Sequence, residues 1–263
     1  MNNTKLEKLR EKIVSKGKIL VAFSGGVDSG LLLKIAHDLL GENVFCVILD
    51  AEVMPRSELN HAEKIVRELS CGYEVVKFPI LDNKNFVKNS RERCYYCKKE
   101  SSKILKKIAS DKGIKYVADG VNQSDFDEHR PGIRASDEEG IWHPFVEEGI
   151  TKLDIRKISK ELGFRFWNKP SSACLATRIP YGEEVTRERL TMVERAEEVL
   201  KRVGFGQVRV RMHGEIARIE VMEEEIEQAF ELREEIIKEL KRIGFKYITI
   251  DIEGYRSGSM DKV

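Results

Sequence analysis

Lys18-Ile19-Leu20-Val21-Ala22-Phe23-Ser24-Gly25-Gly26-Val27-Asp28-Ser29 is the stretch on which the reading of this chain turns. Its first half is an unbroken apolar run, the mark of a strand buried on both faces, and its second half is a glycine turn that ends the strand and opens a helix. Gly25 and Gly26 allow the backbone to approach an anion closely at the helix N-terminus, where unsatisfied N–H groups and the helix dipole favour negative charge. With the hydroxyls of Ser24 and Ser29, the segment through Val27 and Asp28 forms a phosphate cradle. Asp28 repels a polyphosphate unless a Mg2+ ion lies between them. The Gly-Lys-Ser/Thr ending of a Walker loop is missing, and there is no G-x-G-x-x-G dinucleotide turn.

Outward from this turn, residues 5 to 16 read as a helix, residues 31 to 40 as a helix closed by Gly41, and residues 44 to 49 as a second buried strand ending at Asp50. That is a βαβ unit. A helix from about 55 to 69, a strand near 73 to 78, a helix from about 97 to 109 and a strand at 115 to 118 continue the alternation. The expected fold class is therefore α/β, a doubly wound parallel sheet with ligands at the carboxyl ends of its strands. Residues 119 to 140 mix Gly, Asn, Asp, Arg and Pro without period and read as a functional or mobile loop, a lid candidate. After a helix near 152 to 162, a turn-rich passage joins two expected domains, 1–168 and 169–263, with a cysteine loop at 169–182. Beyond it, amphipathic helices at 186 to 203 and 223 to 243 surround strands at 207 to 212, 216 to 221 and 246 to 250, a small α+β domain.

A length of 263 residues agrees with two domains at roughly 150 residues each. With 41% hydrophobic and 35% charged residues the chain is of ordinary globular composition, and its net charge of +1 argues against a DNA-coating or membrane-surface protein. No stretch resembles a signal peptide or membrane span, so the expected address is cytoplasmic. The cysteines Cys46, Cys71, Cys94, Cys97 and Cys174 form an odd set, which favours metal or thiol chemistry over a disulfide framework. Cys46 reads as a small packed hydrophobe and Cys71 as a helix-end residue. Cys94-Tyr95-Tyr96-Cys97 is a C-x-x-C pair at a helix start. With Cys174 it supplies three thiolates, compatible with a 4Fe-4S cluster that leaves one iron open, with a persulfide or other metal-free thiol role, or with zinc if His129 or His143 is a fourth ligand.

The hexapeptide from Ser24 to Ser29 resembles the pyrophosphate loop of the PP-loop ATP pyrophosphatases, which cleave ATP between the α and β phosphates and leave an adenylated intermediate. Asp119-Gly120-Val121-Asn122-Gln123-Ser124-Asp125 is similar to their second polar segment, and the likeness implies ATP or Mg2+ contacts from Gly120, Asn122 and Asp125. Asp50 stands where the nucleoside is expected. The run from Lys169 to Gly182, KPSSACLATRIPYG, resembles the LarE family, and the likeness extends over nearly the whole chain. It implies a sulfur transferase of nickel-pincer nucleotide cofactor biosynthesis: a carboxylate of a pyridinium biscarboxylate mononucleotide is adenylated by ATP, and a sulfur nucleophile displaces AMP to leave a thiocarboxylate. One branch of that family sacrifices the sulfur of the cysteine matching Cys174. The other holds a 4Fe-4S cluster on three cysteines and delivers an extra sulfide, which Cys94 and Cys97 resemble. The resemblance implies a small-molecule mononucleotide substrate and a sulfide donor system; a homo-oligomer is expected, with no membrane partner and, given the near-neutral charge, no nucleic-acid partner.

In the second domain Val208-Arg209-Val210-Arg211-Met212-His213 alternates, so Arg209, Arg211 and His213 share one strand face. Together with Arg178 they are expected to clamp the substrate phosphate, whereas a face offset by a cross-strand Glu220 is the plainer reading. Glu197 and Glu198 read as surface charge. Tyr95, Tyr96 and Trp142 offer rings for stacking, although packing is the commoner fate. The rival function is an ATP- and iron-sulfur-dependent tRNA thiolase, against which stand the near-neutral charge and the lack of an evident RNA-binding module. Ammonia-using amidating relatives would not require three thiols, and a nucleotide-binding redox sensor is the alternative from outside the enzymes.

Overall fold

The structure, a computed structural model, describes residues 3–127, 130–170, 172–256 and 258–260. His129 and Ser171, both within segments singled out above, lie outside the described residues. Packing divides the chain into two compact units, one of residues 1–80 and 92–172 and the other of residues 81–91 and 173–263.

In chain order the first unit holds α1 (Asn3–Lys16), β1 (Ile19–Ala22), α2 (Val27–Leu40), β2 (Val44–Ala51), α3 (Arg56–Glu68) and β3 (Tyr73–Phe78). The chain then makes α4 (Lys84–Val87), which belongs to the second unit, and returns with α5 (Arg93–Asp111), β4 (Tyr116–Ala118), α6 (Pro131–Glu138), α7 (Pro144–Glu147) and α8 (Lys152–Glu161). The four strands are parallel in the order β3-β2-β1-β4. Alternation along β1 explains why the run is wholly apolar. Ile19 and Val21 enter one core with residues of α1, α2, α3 and α8, and Leu20 enters another with Leu105 and Ala109 of α5. The chain leaves β1 toward β2 and returns to β4 on its other side, so the carboxyl ends of β1 and β4 flank a topological switch point, where open α/β sheets bind ligands. A parallel bridge between Ala118 and Trp142 extends this edge and brings His143 to the same end.

Two local expectations differ. The segment expected to be one long loop contains α6, because Pro131 supplies the fixed φ of a first helical turn and Ile133, Ala135 and Ser136 are buried. Helix α5 starts at Arg93, so Cys94 is its second residue and Cys97 its fifth.

The second unit holds α9 (Arg187–Arg202), β5 (Arg209–His213), β6 (Ile216–Glu220), α10 (Ile226–Glu231), α11 (Arg233–Ile243) and β7 (Tyr247–Ile250). Its sheet has the order β5-β6-β7, antiparallel then parallel. Residues 81–91 join this unit through backbone pairing: Val185 donates to Val87 O at 2.9 Å and Gly182 to Asn89 O at 3.0 Å. The buried Asn89 amide donates to Pro180 O at 2.8 Å. Among the described residues no helix is long and apolar enough to cross a membrane.

Candidate active site

A cleft of about 350 Å³ opens at the switch point. Its floor is the Ser24–Ser29 turn, where Gly25 has φ +76°, and an added Cβ there would stand 3.0 Å from Ala62 Cβ. Ser29 accepts from the Ser24 N–H at 3.3 Å, and the two hydroxyls are 3.1 Å apart. The wall opposite is the β4 loop. A Cβ on Gly120 would lie 2.6 Å from Ser29 N and 2.9 Å from Asp28 C, so only glycine lets this loop rest on the first turn of α2. Buried Asn122 ties the same loop, its amide donating to Asp125 Oδ2 at 2.8 Å. The structure thus brings together Ser24, Asp28, Ser29, Gly120 and Asp125, with Arg130 on the rim.

Electrostatics in the cleft are set by two lysines that sequence reading did not single out. Lys152 Nζ meets both oxygens of Asp28 at 2.5 and 2.6 Å. Burial raises the Asp28 carboxyl above its ordinary range, and nearby Asp125 adds to this, so that Lys152 offsets the effect only in part. The available signal was the Thr151-Lys152-Leu153-Asp154 capping box, which marks a helix start at this position. Lys98 lines the cleft and pairs with buried Asp119 at 2.6 Å, and His143 Nδ1 meets the other Asp119 oxygen at 2.6 Å. Burial pushes the Asp119 carboxyl up, but Lys98 and His143 outweigh it and hold the group well below the usual carboxylate range. Lys98 was findable as the residue one turn beyond Cys94 on the same helix face. The hard oxygen donors of Asp28 and Asp125, beside a phosphate cradle, fit Mg2+, which binds through one or two carboxylates plus substrate phosphates.

Asp50, expected near the nucleoside, is not part of the cleft wall. Val47 and Leu49 of β2 are, and alternation turns Asp50 to the other face, where Arg56 and Lys77 hold it. Although burial pushes its carboxyl up, bonds from Lys77 and Arg56 bring it below the ordinary value. Cys46 is fully buried, and Cys71 is buried with its thiol pushed up to about 11 by desolvation. Cys94 is exposed and Cys97 half-buried in the first unit, whereas half-buried Cys174 belongs to the second. Among the described residues no group of three or more His, Cys, Asp or Glu side chains is gathered as a metal centre. Trp142 is core, and Tyr95 packs edge-on against Tyr96 and donates to Glu138 at 2.6 Å.

The second unit corrects the expected open arginine face. Arg178 is 1% exposed; its guanidinium pairs with Glu197 at 2.8 and 3.1 Å and donates to the carbonyls of Ala173 and Cys174 at 2.9 and 3.1 Å. It therefore fixes the cysteine loop to α9. Glu197, read as surface charge, falls on the inward stripe of α9 with Val193, Ala196 and Leu200. Arg211 is also buried and pairs with Glu220 at 2.8 and 3.0 Å, so Glu220 is the offsetting partner, but in the interior rather than in solvent. Burial, reinforced by Arg218, lowers the His213 pKa, which makes it a neutral member of the face. Arg209 is buried over the Tyr255 ring and donates to Val208 O at 2.8 Å.

A parallel sheet whose switch point holds this glycine turn, with an acidic second loop resting on it, defines a PP-loop enzyme of the ATP-pyrophosphatase class. The profile of a family described as NAD synthase matches residues 3–107. The chain is 40% identical to an uncharacterized protein of Synechocystis sp. over all of this chain and 99% of that one. It is 36% identical to the pyridinium-3,5-bisthiocarboxylic acid mononucleotide synthase of Lactiplantibacillus plantarum, covering 93% of this chain and 89% of that protein. An uncharacterized protein of Methanocaldococcus jannaschii is 37% identical over 95% and 94%. The chain belongs to the family of the mononucleotide synthase, the LarE family.

Proposed function

We propose that this chain is an ATP-dependent sulfur transferase that converts carboxylates of a pyridinium biscarboxylate mononucleotide into thiocarboxylates. The observation that supports the reading is helix α5: it holds Cys94 and Cys97 near its N-terminus and, one residue on, Lys98 in the cleft floored by the PP-loop. Thiol and nucleotide chemistry thereby share one rigid element.

In this reading the loop N–H groups and the hydroxyls of Ser24 and Ser29 hold the β and γ phosphates, and Asp28 with Asp125 binds Mg2+. A substrate carboxylate oxygen attacks the α-phosphorus, pyrophosphate leaves, and Lys98 and Lys152 balance the charge that develops. The adenylate is needed because oxide is a poor leaving group. Sulfide then attacks the carbonyl carbon, the bond to AMP breaks, and the thiocarboxylate remains.

Cys94, Cys97 and Cys174 are the candidate cluster ligands: Cys94 and Cys97 are three residues apart on one helix face, and the Cys174 carbonyl is pinned by Arg178. A 4Fe-4S cluster bound there would be held by the thiolates of Cys94, Cys97 and Cys174 and would supply the sulfur nucleophile. Arg209 remains the candidate for the substrate phosphate. The likeness to the synthase of Lactiplantibacillus plantarum supports the substrate class, and the three thiols support catalytic over sacrificial sulfur.

The test is pyrophosphate release by anaerobically prepared protein given ATP and pyridinium-3,5-biscarboxylic acid mononucleotide. Release that depends on the mononucleotide and vanishes in Asp28→Ala is expected; release with ATP alone, or unchanged in Asp28→Ala, overturns the reading. About four irons per chain, lost in Cys94→Ala, Cys97→Ala and Cys174→Ala alike, would support the cluster, and iron-free protein that consumes the Cys174 sulfur would replace it with a sacrificial role.

A further inference from the structure

We propose that Ser101 determines which nucleobase the cleft accepts: its hydroxyl oxygen is a fixed acceptor that selects a purine bearing a 6-amino group over one bearing a 6-oxo group. This role rests on the proposed use of ATP and supplies the residue that reads the base.

The two ends of the cleft differ in character. At one end the hydroxyls of Ser24 and Ser29, the carboxylates of Asp28 and Asp125 and the first N–H groups of α2 suit a polyphosphate with its Mg2+. The remaining wall is apolar, built from Ala22 of β1, Val47 and Leu49 of β2, Met54 just beyond β2, and Leu105 of α5. A triphosphate held at the polar end leaves this wall for the flat, mostly apolar base. Asp50 is turned to the other face of β2, where Arg56 and Lys77 hold it, and reads nothing here.

Ser101 is the polar side chain that this division leaves unassigned. On α5 it follows Lys98 by three positions and precedes Leu105 by four, so the three share one helix face and Ser101 sits where the charged wall gives way to the apolar one. The Lys98 ammonium is already committed to Asp119 at 2.6 Å. Ser101 is 8% exposed, so water competes little for its hydroxyl. Its one proton is spent within the helix, because Oγ donates to the Lys98 carbonyl at 2.8 Å. Two lone pairs remain on the oxygen, and among the described residues no donor meets them. The cleft therefore meets Ser101 as an acceptor only.

Purines are told apart by that constraint. A 6-amino group gives its proton to the Ser101 oxygen. A 6-oxo group sets lone pairs against lone pairs, and a purine with no substituent at that carbon leaves the acceptor unpaired. An apolar wall alone separates such similar shapes poorly, whereas a buried hydrogen-bonding group left without its partner penalises the wrong one.

Titration calorimetry on the full chain with Mg2+ and either ATP, inosine triphosphate or purine riboside triphosphate, without the mononucleotide, tests this. The wild type is expected to bind ATP about tenfold more tightly than purine riboside triphosphate, and inosine triphosphate more weakly still. Ser101→Ala, a substitution that favours the helix, should bring ATP to within about twofold of purine riboside triphosphate and leave the affinity for the latter unchanged. Inosine triphosphate bound as tightly as ATP by the wild type, an ATP preference untouched by Ser101→Ala, or an equal loss of affinity for all three nucleotides would each overturn the proposal while leaving the sulfur-transfer reading in place. Selective, Ser101-dependent ATP binding by a protein that releases no pyrophosphate with the mononucleotide would support the proposal and fail that reading. Binding of none of the three nucleotides would overturn both.

Discussion

Replacing Gly120 by Ala tests the central geometric argument, that the second loop packs on the pyrophosphate loop through a missing side chain. The added Cβ would stand 2.6 Å from Ser29 N and 2.9 Å from both Asp28 C and Ser29 Cα, so the shortest contact falls about 0.8 Å below the 3.4 Å of ordinary packing. All three atoms are backbone of the first turn of α2, which cannot swing aside as a side chain would. Overpacking of this kind costs about 1–3 kcal/mol, and the lower unfolded-state entropy of alanine returns about 0.4–1 kcal/mol, leaving a net loss of about 1–2 kcal/mol. For a unit of this size that lowers Tm by about 2–8 °C. The effect on chemistry is larger, because a displacement approaching 1 Å in the groups that orient ATP can cost about a hundredfold in rate. Scanning calorimetry and mononucleotide-dependent pyrophosphate release measure the two effects, with Gly72→Ala as control, since a Cβ there comes no closer than 3.8 Å to Phe45. A Gly120→Ala protein with wild-type Tm and rate would refute the contact and, with it, the placement of the second loop over Asp28.

Other perturbations separate the remaining roles. Lys152→Met removes the cation beside Asp28, whose carboxyl burial already raises, so the acid limb of the pH–rate profile should move to higher pH. A carboxyl raised in the fold also makes stability fall as pH rises past the ordinary carboxylate value, and the variant should show a steeper fall; an unshifted profile would remove Lys152 from the site. Asp119→Asn leaves Lys98 and His143 without their carboxylate and should cost about 3 kcal/mol. Because the Asp119 carboxyl is depressed, its contribution is complete above about pH 4 and is lost on further acidification, so Tm against pH should be steeper below that value in the wild type than in the variant. Arg178→Ala strands buried Glu197 and should destabilise the second unit by about 3–5 kcal/mol, whereas Arg209→Ala should raise the KM for the mononucleotide and leave that for ATP unchanged. Equal effects of the two variants on both KM values would dissolve the distinction.

The strand-turn-helix at residues 18–29 was legible because its cause is local: an apolar run is buried on both faces of a parallel sheet, and two glycines permit the turn that follows. The βαβ alternation and the C-x-x-C pair on a helix were legible for the same reason, since period and turn chemistry are written in neighbouring residues, whereas both faces of β5 proved to be buried. Partner choice was decided only in three dimensions. Lys152 meets Asp28 across 124 positions, Lys98 meets Asp119 across 21, and the excursion 81–91 pairs with residues some 90 positions onward. Whether a charged side chain is a ligand for substrate or an internal counter-ion was decided there too. In sequence Arg178 and Arg211 read as ligands for a substrate phosphate and Glu197 as surface charge, but the sheet and α9 bury them, where a lone charge would be prohibitively costly, and Arg178 pairs with Glu197 and Arg211 with Glu220. Local periodicity can assign a residue to a face. What that face meets depends on contacts made after the chain has closed on itself, which sequence spacing does not encode.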